Sequence, residues 1–190
     1  MENVFNEILG RSDNEKNVII GQSPVSFSDL FKLVDRIETH LTKIGCNEND
    51  RVGIAFDQGS HYIASILGIR KKGCVSVPMS LDWTNQEFDR ILSHSDVRYV
   101  ISSENIIGTI KPNRNSYVDE INCFILEYNI ENQIPSNNGD AIIIYTSGTT
   151  NKQKGVVLTE EGISNNVFSV AKYLELCSDD SSPIFTSTCY

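Results

Sequence analysis

Two stretches of this chain read as amphipathic helices that stop on a glycine and give way to a short apolar run. That punctuation narrows the folds open to it. Leu30, Leu33, Val34, Ile37, Leu41 and Ile44 recur at helical spacing behind Ser28, a residue suited to cap a helix start, and Gly45 closes the pattern. Arg51 to Phe56 then reads as a short buried strand. Ser60 opens a second helix with Ile63, Ile66, Leu67 and Ile69 inward, closed by Gly73, and Cys74 to Val77 is a strand halted by Pro78. Thr84 and Glu87 have the spacing of a capping box ahead of Phe88, Ile91 and Leu92, and Arg98 to Ile101 is the next strand. Helices alternating with strands predict an α/β fold, a largely parallel sheet flanked by helices on both faces with right-handed crossovers.

The second half carries the chemistry. Residues 104 to 139 are rich in Asn, Ser, Glu and Pro, with a strand expected at Cys123 to Leu126 and an exposed linker from Ile134 to Asn138. Ala141 to Ile144 and Val156 to Leu158 are apolar, strand-like runs, and between them lies Tyr145-Thr146-Ser147-Gly148-Thr149-Thr150-Asn151-Lys152-Gln153-Lys154-Gly155. Glycines let backbone N–H groups turn inward, hydroxyls add neutral donors, and a lysine supplies a mobile positive charge, so this loop suits a polyphosphate. The plainer alternative is an ordinary polar hairpin. It is neither a Walker A element, since Gly155 precedes Val156-Val157 where that motif needs Lys-Ser/Thr, nor a G-x-G-x-x-G turn. Thr159 then caps a helix through Leu174 with Ile163, Val167, Val170, Ala171 and Leu174 on one face, and Phe185 to Tyr190 reads as the start of a strand.

Composition removes other classes. A net charge of −9 disfavours a nucleic-acid surface. The basic triplet Arg70-Lys71-Lys72 reads as the solvated end of a helix. Cys46, Cys74, Cys123, Cys177 and Cys189 show no C-x-x-C pair, and with His40, His61 and His94 they give no metal-ligand spacing; free thiols in a reducing cytoplasm are expected. Neither a signal pattern nor an apolar run of membrane-spanning length is present, so a cytoplasmic protein with no membrane partner is expected. His94 and Asp96 read as a solvated pair at a helix end, Glu160 and Glu161 as first-turn partners of a helix dipole, and Trp83 as a loop-packing residue.

The run Tyr-Thr-Ser-Gly-Thr-Thr followed by Lys-Gly-Val, residues 145–156, resembles the phosphate-binding signature of the adenylate-forming superfamily: acyl-CoA synthetases, luciferases and the adenylation domains of non-ribosomal peptide synthetases. Asn151 stands where that family usually has glycine and Gln153 where it usually has proline; Asn tolerates left-handed angles better than most residues. Val25 to Leu30 resembles the family's early helix start, and Leu67 to Met79 its helix–strand unit ending in Val-Pro. The likeness runs from about Asn17 to Tyr190.

The resemblance implies a reaction in which a carboxylate attacks the α-phosphorus of Mg-ATP and pyrophosphate leaves, giving an acyl-adenylate for a later amine or thiol. It implies ATP with magnesium as cofactor and a carboxylic acid as substrate. It places Lys154 on the β- and γ-phosphates, Ser147, Thr149 and Thr150 as hydroxyl donors, the Gly148 amide in close approach, and Thr146 at the start of the turn. None of these activates a nucleophile, so no catalytic residue is assigned in this chain. Family members are typically more than twice as long. Residues 1–190 are therefore expected to be an incomplete N-terminal domain, its N-terminal subdomain plus the phosphate-binding loop, with the C-terminal domain absent and no activity alone. Three readings stay open: the N-terminal part of such a ligase, one half of a split enzyme completed by another polypeptide, or a non-catalytic interaction domain.

Overall fold

The computed structural model describes residues 3–10, 17–19, 24–104, 110–129, 136–146, 154–177 and 180–182. In order these form α1 (Val4–Leu9), β1 (Asn17–Ile19), β2 (Val25–Ser26), α2 (Phe27–Lys43), β3 (Arg51–Ala55), α3 (Ser60–Lys71), β4 (Val75–Pro78), α4 (Asn85–Ser95), β5 (Tyr99–Ser102), β6 (Arg114–Val118), a 3-10 turn at Asp119–Ile121, β7 (Cys123–Glu127), β8 (Asp140–Thr146), β9 (Lys154–Thr159) and α5 (Glu160–Tyr173). The strand expected at the C-terminal Phe185 to Tyr190 lies outside the described residues.

Local chemistry sets the helix boundaries. Ser26, not Ser28, caps α2: its hydroxyl accepts from the Asp29 amide at 3.1 Å, and Ser28 falls inside the first turn. Thr84 and Glu87 form the expected capping box on α4, and the Thr159 hydroxyl accepts from the Gly162 amide to start α5. Gly45 and Gly73 follow α2 and α3 with φ of +82° and +81°, left-handed turns that a side chain would strain.

Among the described residues the main sheet has strand order β6-β7-β5-β3-β4-β8-β9. Its centre is parallel: β3 pairs with β4 and β5, and β4 with β8. Both flanks are antiparallel, β5–β7–β6 on one side and β8–β9 on the other. The helix–strand rhythm accounts for the parallel centre, where a helix lies between successive strands.

Two cores lie on the two sheet faces. On one, Leu30, Val34, Ile37 and Leu41 of α2 meet Ala64, Leu67 and Ile69 of α3 against Val52, Ile54 and Tyr99. Gly68 makes this packing close: a Cβ there would sit 2.9 Å from Ile37 Cγ2 and 3.1 Å from the Val34 carbonyl. On the other face Phe88, Ile91 and Leu92 of α4 cover Val75, Val77, Val100, Ile143 and Tyr145, with Trp83 packed at the margin as a loop residue. Arg70 differs from its expected solvated role. Its Nη1 donates to the Asp140 carbonyl at 3.1 Å and its Nη2 pairs with Glu160 at 3.3 Å, tying α3 to β8 and α5. Glu160 thus does more than complement a dipole; it also accepts from the Asn3 side-chain amide at the start of α1. Cys46, Cys74 and Cys123 are buried free thiols and Cys177 is an exposed one, as expected; Cys189 lies outside the described residues.

Candidate phosphate-binding hairpin

Strands β8 and β9 form the stem of the loop singled out above. Ile142, Ile143, Ile144 and Tyr145 of β8 face Leu158, Val157, Val156 and Gly155 of β9, and at the open end Thr146 lies opposite Lys154. Antiparallel pairing therefore brings together, across seven intervening residues, the first and last of the predicted phosphate contacts. Both side chains are exposed. The other predicted contacts, Ser147, Gly148, Thr149 and Thr150, together with Lys152, lie outside the described residues.

The stem is held from below and from one side. At its base, the Asp140 carboxylate accepts from the Asn137 amide at 2.8 Å, and the Glu160 amide donates to the Gly139 carbonyl at 2.8 Å. On the side covered by α4, Tyr145 is only 3 % exposed. Burial pushes its phenol up from the ordinary tyrosine value, opposed by the charge of Arg51, so it stays a neutral hydroxyl near neutral pH. That hydroxyl lies 2.7 Å from His94 Nδ1, with the two rings edge-to-face at 5.6 Å. His94, itself exposed at the helix end as expected, is thus also engaged with β8. The tyrosine ring lies against Gly155, where a Cβ would sit 3.1 Å from Tyr145 Cζ and 3.2 Å from Ile143 Cγ2. Glycine here lets the ring close over the opposite strand.

The arrangement offers one cation and one hydroxyl at the mouth of a two-stranded stem, donors suited to anionic oxygen. Among the described residues, no group of three His, Cys, Asp or Glu side chains comes together to hold a metal ion. No helix among them is long and apolar enough to cross a membrane. The loop motif made the hairpin findable from sequence. The His94–Tyr145 link was missed, because nothing local marks a contact across 51 residues.

The fold is shared with the O-succinylbenzoate Coenzyme A synthetase MenE from Bacillus subtilis, solved in complex with AMP, at TM-score 0.72 and 17 % identity, over 95 % of this chain and 48 % of that one. ATP-bound MatB from Rhodopseudomonas palustris matches at TM-score 0.70 and 18 % identity, over 94 % of this chain and 39 % of that one. In sequence, the chain is 28 % identical over 183 residues to bacitracin synthase 3 of Bacillus licheniformis, covering 91 % of this chain and 3 % of the synthase. It is 26 % identical over 177 residues to the anguibactin system regulator of Vibrio anguillarum, covering 88 % of this chain and 16 % of that protein. The chain thus spans a small part of the length of these curated relatives. The family model described as AMP-binding enzyme matches residues 9–189, which takes in every strand of the main sheet and the whole hairpin, and the chain belongs to that family.

Proposed function

We propose that this chain is the N-terminal portion of an AMP-forming ligase, one that uses ATP to turn a carboxylic acid into an acyl-adenylate. The observation that carries the reading is the pairing of Thr146 with Lys154 at the mouth of the hairpin, at the two ends of a Ser-Gly-Thr-Thr loop. In this reading Lys154 neutralises charge on the β- and γ-phosphates as pyrophosphate departs. Thr146, Ser147, Thr149 and Thr150 donate hydroxyl hydrogen bonds, and Gly148 lets the backbone approach. Magnesium, entering with the nucleotide, would supply further charge neutralisation on the phosphates.

Residues 1–190 act here as an incomplete N-terminal domain in a cytoplasmic setting, and the carboxylate site is completed by further polypeptide. The exposed Val156, Val157, Val167, Val170, Tyr173 and Leu174 of β9, α5 and its C-cap support that completion, since they form apolar surface in want of cover.

The test is acid-dependent exchange of labelled pyrophosphate into ATP, run across amino, fatty and aryl acids. The 190-residue chain alone gives no exchange. Joined to polypeptide supplying the remainder, it exchanges with one acid class, and Lys154→Ala lowers turnover by on the order of 10 to 1,000-fold, the effect of one charge-assisted contact to a transition state. Lys152→Ala changes it little. Equal indifference to both substitutions leaves an ordinary polar hairpin.

A further inference from the structure

We propose that His94 is a positioning residue for the phosphate loop: it grips the Tyr145 hydroxyl and holds that ring over Gly155, fixing how Thr146 and Lys154 face each other. The proposal rests on the polyphosphate reading of the loop given above.

Three observations meet at this point. His94 stands in the last turn of α4, an element otherwise concerned with covering the sheet. Its Nδ1 lies 2.7 Å from the Tyr145 hydroxyl, which belongs to the residue immediately before Thr146. The Tyr145 ring in turn contacts Gly155, its register partner and the residue immediately after Lys154. One imidazole therefore reaches, through one ring, both strands at the last pair before the mouth. The helix end that carries it is itself anchored, because Arg51 Nη1 donates to the Ser95 carbonyl at 2.9 Å. The phenol donates to a bare Nδ1 or accepts from an Nδ1–H, so either tautomer of His94 keeps the grip. A loop carrying several donors gains from a fixed stem, since the ordering cost is met before the anion arrives.

The experiment uses the 190-residue chain with His94→Leu, His94→Asn, Tyr145→Phe and the His94→Leu/Tyr145→Phe double variant. Hydrogen exchange is followed at the backbone amides of residues 143–146 and 154–157, and tripolyphosphate binding is measured by calorimetry. His94→Leu raises exchange at the stem about fivefold, the value of one net hydrogen bond, while amides early in α4 are unchanged. It weakens tripolyphosphate binding by a similar factor. Tyr145→Phe, which keeps the ring and removes only the hydroxyl, does the same, and the double variant is no worse than either single one. His94→Asn, which returns a polar atom near the Nδ1 position, restores much of the protection. Additive effects, or stem exchange unchanged in both single variants, overturn the proposal. If the parent chain binds no tripolyphosphate while the exchange pattern holds, the polyphosphate reading fails for the isolated chain and the grip stands. If the parent binds and neither single variant alters exchange or affinity, the grip fails and the reading stands.

Discussion

Strands β3 and β9 are both apolar, and the molecule treats them in opposite ways. In β3 every residue after Arg51 is buried between α2 and α3 on one face and the α4 core on the other. In β9 five of six residues are exposed, and the α5 segment beyond it leaves Val167, Val170 and Tyr173 in solvent, Tyr173 at 85 %. Hydrophobicity alone therefore does not decide burial. Position in the sheet does: β3 has neighbours on both sides, whereas β9 is an edge among the described residues.

The strongest way to break this contrast is by truncation. Ile54→Ala, at a position with no exposure, costs about 2–5 kcal/mol, whereas Val157→Ala, at 46 % exposure, costs less than about 1 kcal/mol. Urea unfolding of both variants measures the difference, and similar losses would mean that β9 is covered as fully as the centre. Alkali gives a second, smaller separation. On the closed side, burial pushes the Cys123 thiol up from 9.0 to about 12 and the Tyr128 phenol up from 10.0 to about 12. A raised acid pKa keeps the folded state protonated while the unfolded state ionises. The stability these groups contribute is full below pH 9 and falls as the pH climbs toward 12, by at most ~1.4 kcal/mol per pH unit for each group. Urea midpoints from pH 8 to 11 measure it, and Cys123→Ser flattens the decline.

How much of this was legible in the sequence divides along the same line. Capping residues and apolar stripes are local signals, so α2, α4 and α5 were readable to within a residue or two, Ser26 for Ser28 being a slip inside one turn. Strand direction at the flanks was not readable, because an apolar run carries no mark of its partner. β6 was missed because Arg114 to Tyr117 are exposed on an edge and show no apolar alternation. Thr146 and Lys154 drew notice because their loop is dense in anion donors, while the His94–Tyr145 contact was missed because its two partners are distant in the chain. The apolar face expected on α5 is there, yet only Ile163 and Ala171 of it are partly sheltered, and sequence does not say what covers a face.

The smallest effect tests the open side directly. Val170→Lys changes stability by no more than about 0.5 kcal/mol, since the long lysine stem keeps the cover that the half-exposed valine gives. It lowers the self-association of the chain, because a charge interrupts exposed apolar surface. Light scattering across a concentration series shows the shift, and a parent chain that stays monomeric throughout removes the need for cover on that side.

The strand order also sets a direction of assembly. β3 is the first strand of the main sheet in the chain; β4 joins one of its sides and β5 the other, after which β7 extends beyond β5 and β8, then β9, beyond β4. Apart from β6, which reaches the sheet through its hairpin with β7, each strand joins an edge that earlier residues have already built. During synthesis from the N-terminus the sheet grows outward from its middle without waiting for distant partners. Of the described strands, those of the hairpin that carries Thr146 and Lys154 are laid down last, on a platform already in place.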